Sequence, residues 1–384
     1  MKKKMKIVLS GVETQNKGAE LMLYAILQEI ERKWPKAEVY IPNTYFNQGI
    51  GYVNTPLKIK FWPYDRLLRF LRGVLGRLHM PKRRLQNTFA VQGADYFLDA
   101  SGFHFSDQKR NFTPTKVWRW NVLLSKYSAQ GTKIVFLPQA FGPAVKENTL
   151  NGLRCISKYA DLIMPRESVS YNYLEQSGVM DMKKVVLNSD FTSLVEGSFP
   201  IGFSHLRGGI CIIPNMRMID TGTCSLDDYT KLISAIVNEV LPIGRPIYFL
   251  NHEDIKDEEL AHECKKKTDA NIEVVTGLNA LEVKGLISSA YLVVSSRFHG
   301  VASSLNSCVP CLATSWSHKY QELFKDYGMT GCVLPLNDVN KAKEMVNNFI
   351  QEDRNIEIRN LLSVNVTKIK ERTEDMWNNV WGGE

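Results

Sequence analysis

The sequence predicts an α/β fold of two Rossmann-like domains facing a cleft. Three observations carry this prediction. Short apolar runs alternate with stretches of helical period almost from end to end, the pattern of a doubly wound parallel sheet. Each run closes on a Gly, Pro or polar break before the helical pattern begins. The chain has 384 residues, enough for two domains of ordinary size, each with its own core.

In the first half, Lys6–Ser10 reads as a buried strand and Gly18–Lys33 as a helix. In that helix Leu21, Tyr24, Ala25, Gln28 and Ile30 form most of one face. Glu38–Pro42, Tyr96–Ala100, Lys133–Pro138 and Asp161–Pro165 read as further strands. The second half repeats the pattern. Gly209–Pro214, Pro246–Leu250, Ile272–Val275, Tyr291–Ser295 and Pro310–Ala313 read as strands. Leu226–Leu241, Asn279–Ser288, Gly300–Ser307 and Lys319–Tyr327 read as the helices between them. A linker rich in Gly, Pro and Ser over Glu196–Leu206 divides the chain into a domain of residues 1–195 and one of 196–384. The polar, helix-prone end, Arg354–Trp381, is expected to cross back over the first domain.

One segment departs from the pattern. Residues 43–90 read as an insertion, and within it Asp65–His79 is a basic amphipathic helix. Leu67, Leu68, Phe70, Leu71, Val74, Leu75 and Leu78 fall on one arc, with Arg66, Arg69, Arg72 and Arg77 opposite. Lys82, Arg83 and Arg84 follow. The pattern fits a helix lying in a membrane interface, and equally a surface helix with its apolar face in the core. In the first case 65–84 contacts a membrane surface, through weak binding to anionic vesicles that fades with salt.

The net charge is +8, which points to an anionic partner without naming one. No apolar run approaches the ~18 residues of a spanning helix, and the start, MKKKMKIVLS, lacks a secretory h-region of about 7–15 residues. The expected location is cytoplasmic, peripheral to the membrane at most. The seven Cys are scattered, unlike a disulfide framework. Cys308-Val-Pro-Cys311 has redox spacing, or is a helix end and a buried strand joined by a turn. No His/carboxylate cluster has metal-ligand spacing, so no metal is expected.

The chemistry concentrates after the strand Tyr291–Ser295, which runs into Ser296-Arg297-Phe298-His299-Gly300 and then a helix. Ligands of an open α/β sheet bind beyond the carboxyl ends of strands, and a helix start attracts anions. Arg297 is a cation at a helix start, where it opposes the dipole, and that cost argues for an anion nearby. Lys319 follows the next strand and adds a point charge beside the fork of Arg297. His318 is an alternative to Lys319. Together these residues suit a small, highly charged anion.

Ser295-Ser296-Arg297-Phe298-His299-Gly300, with His318-Lys319 about 20 residues on, resembles the hallmark of the polysaccharide pyruvyl transferase family. Asn16-Lys17-Gly18-Ala19-Glu20, Asp99 to His104, Leu137 to Pro143, Arg166 to Ser170 and Asn188-Ser189-Asp190 resemble its other elements in order. Ala19 stands where the family often has Asp, and Ala100 and Ser101 replace glycines of a Gly-rich turn. The resemblance implies a B-type glycosyltransferase-like fold. It implies transfer of pyruvate from phosphoenolpyruvate, as co-substrate and without another cofactor, to two hydroxyls of a sugar. The product is a cyclic ketal on a cell-surface polysaccharide precursor, often lipid-linked.

On that reading His299 is the catalytic acid/base. Arg297, Lys319, Gly300 and, from the first domain, Arg166 bind the donor. Asn16, Gly102, His104, Gln139 and Asp190, on the first-domain side, bind the acceptor, with Asp190 either an acceptor base or a turn residue. Two rivals remain. One is a nucleotide-sugar glycosyltransferase or epimerase of the same architecture, which would place a carboxylate near the second-domain strand ends; 296–318 has none. The other is a non-enzymatic membrane- or nucleic-acid-binding protein, against which stands the lack of a nucleic-acid motif.

Overall fold

The computed structural model describes residues 4–42, 49, 53–61, 90–108, 112–268, 270–315 and 319–382. The predicted basic helix over 65–79, most of the 43–90 insertion and His318 lie outside the described residues. The chain divides into two compact units, one of residues 1–14, 22–190 and 375–384, the other of 15–21 and 191–374.

The first unit holds a parallel sheet of β1 (Lys6–Ser10), β2 (Glu38–Ile41), β3 (Lys58–Phe61), β4 (Tyr96–Asp99), β5 (Lys133–Gln139) and β6 (Leu162–Pro165), in the order β3-β2-β1-β4-β5-β6. Its helices are α1 (Lys17–Lys33, whose first residues group with the second unit), α2 (Pro114–Ala129), α3 (Glu147–Tyr159) and α4 (Ser168–Gln176). Ile7, Val8, Leu9, Phe97, Leu98 and Ile134 to Leu137 are fully buried. Continuous burial follows from a parallel sheet covered on both faces, and it explains why the strands read as unbroken apolar runs. The strand order reverses between β1 and β4. Beyond that point Gly11 adopts φ +74°, and a Cβ there would lie 2.4 Å from Ser101 Oγ, so both the turn and the close approach require glycine.

The second unit holds a parallel sheet of β7 (Ile210–Ile213), β8 (Ile247–Leu250), β9 (Glu273–Val275), β10 (Leu292–Ser295) and β11 (Cys311–Ala313), in the order β11-β10-β7-β8-β9. Its helices are α5 (Arg217–Asp220), α6 (Leu226–Val240), α7 (Ile255–Lys266), α8 (Ala280–Ser288), α9 (Phe298–Asn306), α10 (Lys319–Asp326), α11 (Val339–Ile350) and α12 (Glu352–Trp381). The helix starts are written in the sequence as caps. Ser225, Asp254 and Asp338 accept from backbone amides of α6, α7 and α11. At α8, Asn279 and Glu282 form a reciprocal capping box.

The last residues of α12 count with the first unit. There Trp381 stacks on Trp377, meets Trp34 edge-on at 4.8 Å between ring centroids, and lies 5.2 Å from Tyr96. All seven cysteines are free. Cys311 is fully buried and burial pushes its thiol well up, so its environment is that of a small buried hydrophobe. Among the described residues no helix is long and apolar enough to cross a membrane.

The chain entering the second unit runs across α8, where Ser198 N–H donates to Leu281 O at 2.9 Å. A Cβ on Gly285 would sit 2.2 Å from Ser198 O, a backbone atom. Ala normally gains about 1 kcal/mol over Gly inside a helix. Here the sign reverses: Gly285→Ala is expected to cost about 2–3 kcal/mol by overpacking, read by urea unfolding. A neutral or stabilising substitution would show that this crossing is looser than described.

Candidate active site

In the second sheet the strand order reverses between β7 and β10, so a ligand belongs beyond their carboxyl ends. β10 passes into α9 through Ser296 and Arg297, and this junction is fixed from several elements. The Ser296 carbonyl accepts from Asn215 Nδ2 at 2.8 Å and from Tyr320 Oη at 2.7 Å. Its hydroxyl bonds Tyr229 Oη at 2.6 Å and also meets Thr314 Oγ1. Ser295 Oγ accepts from Arg297 N–H at 3.0 Å.

Arg297 sits at the N-cap of α9 and is 9% exposed. The dipole there disfavours a cation, and two carboxylates offset it. Asp257 Oδ2 accepts from Arg297 Nε at 2.7 Å and also pairs with Nη2, while its Oδ1 accepts from Met216 N–H at 2.9 Å. Glu253 Oε2 pairs with Arg297 Nη1. Burial works against the charge, but Asp257 and Glu253 outweigh it and hold the guanidinium above its ordinary pKa. Carboxylates of the chain itself supply the negative charge that the sequence argument asked for, and the side edge of the Arg297 fork is already taken.

Asn16 joins the same cluster. Its Oδ1 accepts from Gly18 N–H at 2.9 Å and Ala19 N–H at 3.2 Å, capping α1, and its Nδ2 donates to Glu253 Oε1 at 2.7 Å. Lys17 N–H donates to His252 O at 3.2 Å. The sequence reading put Asn16 in the first domain; in the structure residues 15–21 group with the second unit, and Asn16 is bonded to Glu253 there. The correction has a simple cause. A helix start was assigned to the domain of its own strand, and hydrogen bonding overrides sequence proximity.

His299 is in the first turn of α9, and α1 comes close to its ring. A Cβ on Gly18 would be 2.2 Å from His299 Nδ1 and 2.7 Å from Cγ. Phe298 meets the imidazole edge-on at 5.3 Å. Lys319, at the start of α10, holds its ammonium 5.5 Å from the Phe298 ring and 5.6 Å from the Tyr320 ring. Gly300 serves packing: a Cβ would lie 2.4 Å from Ser295 Oγ and 2.9 Å from Ile213 Cδ1, so α9 lies directly on the sheet.

The first unit gathers the other predicted residues. Gln139 is fully buried; its Nε2 donates to Asp99 Oδ1 at 3.2 Å, and its Oε1 has no hydrogen-bond partner among the described residues. Burial pushes the Asp99 carboxyl up, against hydrogen bonds from Ser101, Gln139 and Ser10. Arg166 N–H donates to Gln139 O at 3.0 Å; its side chain pairs with Glu167 at 3.4 Å and Asp190 at 3.6 Å, all buried. Asp190 is therefore a counter-ion of Arg166. Gly102 adopts φ +70° and its carbonyl accepts from Ala140 N–H at 2.8 Å. His104 packs among Phe105, Phe112 and Trp120.

Three residues of the cluster escaped the sequence reading: His252, Glu253 and Asp257. The signal was present, because Asn251-His252-Glu253-Asp254 directly follows the strand at 247–250 and strand ends are where ligands bind. His252 is 3% exposed and its Nδ1 has no hydrogen-bond partner among the described residues. Burial, and then the charges of Arg297, His299 and Lys17, hold it well below the ordinary histidine pKa. The unfolded chain therefore takes up a proton that the folded one refuses, and stability falls as pH drops through about 6.5. His252→Asn is expected to flatten this slope by about 1 kcal/mol between pH 6.5 and 5.5, measured by denaturant unfolding. Equal slopes in variant and wild type would mean that His252 titrates as in the unfolded chain.

Comparisons with known proteins bear on the fold and the family. Among curated protein sequences none matches the chain significantly. Solved structures match along nearly its whole length. HepE of Anabaena, in complex with UDP and glucose, has 9% identity and a TM-score of 0.58, covering 98% of each chain. MnaA of S. aureus, in complex with UDP, has 12% identity and a TM-score of 0.59, covering 98% of this chain and 96% of that one. UDP-GlcNAc 2-epimerase of Methanocaldococcus jannaschii has 10% identity and a TM-score of 0.54, covering 92% and 94%. At such identities the likeness shows the fold alone, the B-type glycosyltransferase-like α/β fold with two parallel sheets that the sequence predicts. The profile of one family, "Polysaccharide pyruvyl transferase", matches residues 16–318, from the Asn16 cap to the segment before Lys319. With most of its length matched and Arg297, His299 and Asn16 gathered in one cluster, the chain belongs to the polysaccharide pyruvyl transferase family.

Proposed function

We propose that the protein transfers pyruvate from phosphoenolpyruvate to two hydroxyls of one sugar in a lipid-linked polysaccharide precursor. The products are a cyclic ketal and phosphate. The observation that supports this most directly is the placing of Arg297, His299 and Lys319 at the carboxyl ends of β10 and β11, beside the switch point of the second sheet. Phosphoenolpyruvate carries a phosphate and a carboxylate, and Arg297 and Lys319 are the cations for them. His299 protonates the methylene carbon as the first sugar oxygen bonds to the adjacent carbon. The second hydroxyl then bonds to that carbon as the C–O bond to phosphate breaks. The two hydroxyl protons pass to the base form of His299 and to the departing phosphate, and positive charge near the phosphate stabilises its departure.

The nucleotide-sugar reading asks for a carboxylate free to bond a ribose. Asp257 is buried and locked to Arg297 and to Met216 N–H, and Glu253 holds the same guanidinium together with Asn16. The test is thermal melting with phosphoenolpyruvate beside a panel of nucleotide sugars, on wild type and Arg297→Ala. A ligand at 100 times its Kd stabilises by about 2.7 kcal/mol, a shift of a few degrees. The expected result is a shift with phosphoenolpyruvate that the variant loses. A shift with a nucleotide sugar and none with phosphoenolpyruvate would overturn the proposal.

A further inference from the structure

The two carboxylates on Arg297 differ in kind. Asp257 is 1% exposed in its side chain, engages Nε and Nη2, and is tied to the backbone of Met216. It is a fixed clamp. Glu253 is 23% exposed in its side chain and engages Nη1, on the end of the fork that Asp257 leaves open. Its second oxygen takes the Nδ2 of Asn16. That amide is fixed in direction, because the Asn16 oxygen is committed to the first amides of α1. Guanidinium Nη1 and the Asn16 amide thus converge on one carboxylate from two elements. Both donors are arranged as they would be for an incoming anion, and a side chain of the protein sits there.

We propose that Glu253 is a displaceable placeholder: its carboxylate fills the anion seat between Arg297 and Asn16 in the empty enzyme and swings out when the carboxylate or phosphate of the donor enters. The inference rests on the donor reading above and adds its regulation. The placeholder keeps the buried guanidinium compensated between turnovers, since a buried cation left with too little counter-charge is costly. It also sets a threshold, because an entering anion must beat an intramolecular one. A multiply charged donor passes that threshold more easily than a monoanion does. Glu253 is a specificity-determining residue on this view and donates no proton to the reaction.

The experiment is calorimetric titration of phosphoenolpyruvate and, separately, inorganic phosphate into wild type and Glu253→Gln. Melting of both proteins establishes that the variant is folded, and Glu253→Ala serves as a second variant should the glutamine one not fold. Removing the competing charge is expected to tighten both anions about tenfold, a coupling of ordinary size, and to lower KM for phosphoenolpyruvate in the same proportion. Unchanged or weaker binding of both anions in a folded variant overturns the placeholder and leaves the donor reading standing if wild type binds phosphoenolpyruvate. A large loss of kcat with unchanged binding also overturns it, since Glu253 then acts in the chemistry. Tighter phosphate in the variant, with no phosphoenolpyruvate binding by either protein, supports the placeholder and sinks the donor reading. No binding of either anion by either protein sinks both.

Discussion

Asp257→Ala is expected to destabilise the second unit by about 3–5 kcal/mol, the usual cost of leaving one member of a buried ion pair behind. The reasoning starts from burial. Asp257 has 1% side-chain exposure and Arg297 11%, so Arg297 cannot recover its hydration when Asp257 is removed and is left with Glu253 alone. The substitution also strips the acceptor from Met216 N–H, and a buried donor left unmade adds to the penalty. A solvent-exposed pair would give at most ~1 kcal/mol, so the measurement discriminates sharply. Urea unfolding of the single variant tests the size. The double variant Asp257→Leu/Arg297→Met tests the cause. An apolar pair of similar volume is often neutral relative to a buried ion pair, so the double variant should recover much of the stability lost by Asp257→Ala while failing to bind the donor. A loss below ~1 kcal/mol in the single variant would mean that Asp257 is not a buried clamp and that Glu253 alone compensates Arg297.

Asp257 also marks where reading the sequence stopped. Strands that became buried cores were legible: Ile7-Val8-Leu9, Ile210 to Ile213 and Leu292 to Val294 are apolar throughout because both sheet faces are covered. Helix α7 was not. Its sequence, IKDEELAHECKK, buries only Asp257, Leu260, Ala261 and Cys264, too few apolar positions to show a period, and one of the buried four is a carboxylate. Strand β3, KIKF, is likewise silent: it ends the sheet, with both terminal residues exposed and no apolar run to mark it. The site divides along the same line. Arg297, His299 and Lys319 were legible as candidates because they follow β10 and β11, two strands whose burial is obvious. The grouping of Asn16 with Glu253 links positions 237 residues apart, and no spacing rule reaches that far. Asp190, for which sequence left a base and a turn residue open, is paired with Arg166, a contact visible only in three dimensions.

Gly18→Ala is expected to lower kcat about 100-fold while leaving the fold intact. Alanine is the better helix former by up to ~1 kcal/mol, and nothing about a position in α1 would otherwise forbid it. What forbids it is His299. The added methyl would stand 2.2 Å from Nδ1 and 2.7 Å from Cγ, so the imidazole must move by about an ångström, and a reacting group displaced that far costs ~10²-fold. The third near atom is Asn16 Oδ1 at 3.1 Å, a contact relieved by a few tenths of an ångström, so donor affinity in the melting assay should stay near wild type. The pattern of normal melting, normal donor binding and slow turnover separates this variant from Gly300→Ala, whose methyl would strike Ser295 and Ile213 in the core and should cost stability first. The sharper test is a double-mutant cycle. If Gly18→Ala acts only by moving the imidazole, then adding it to His299→Gln should cost little more than His299→Gln alone, because the two changes remove the same function. Additive losses would show that Gly18 contributes through another route, and a single variant within twofold of wild type would show that the position of the His299 ring does not limit the reaction.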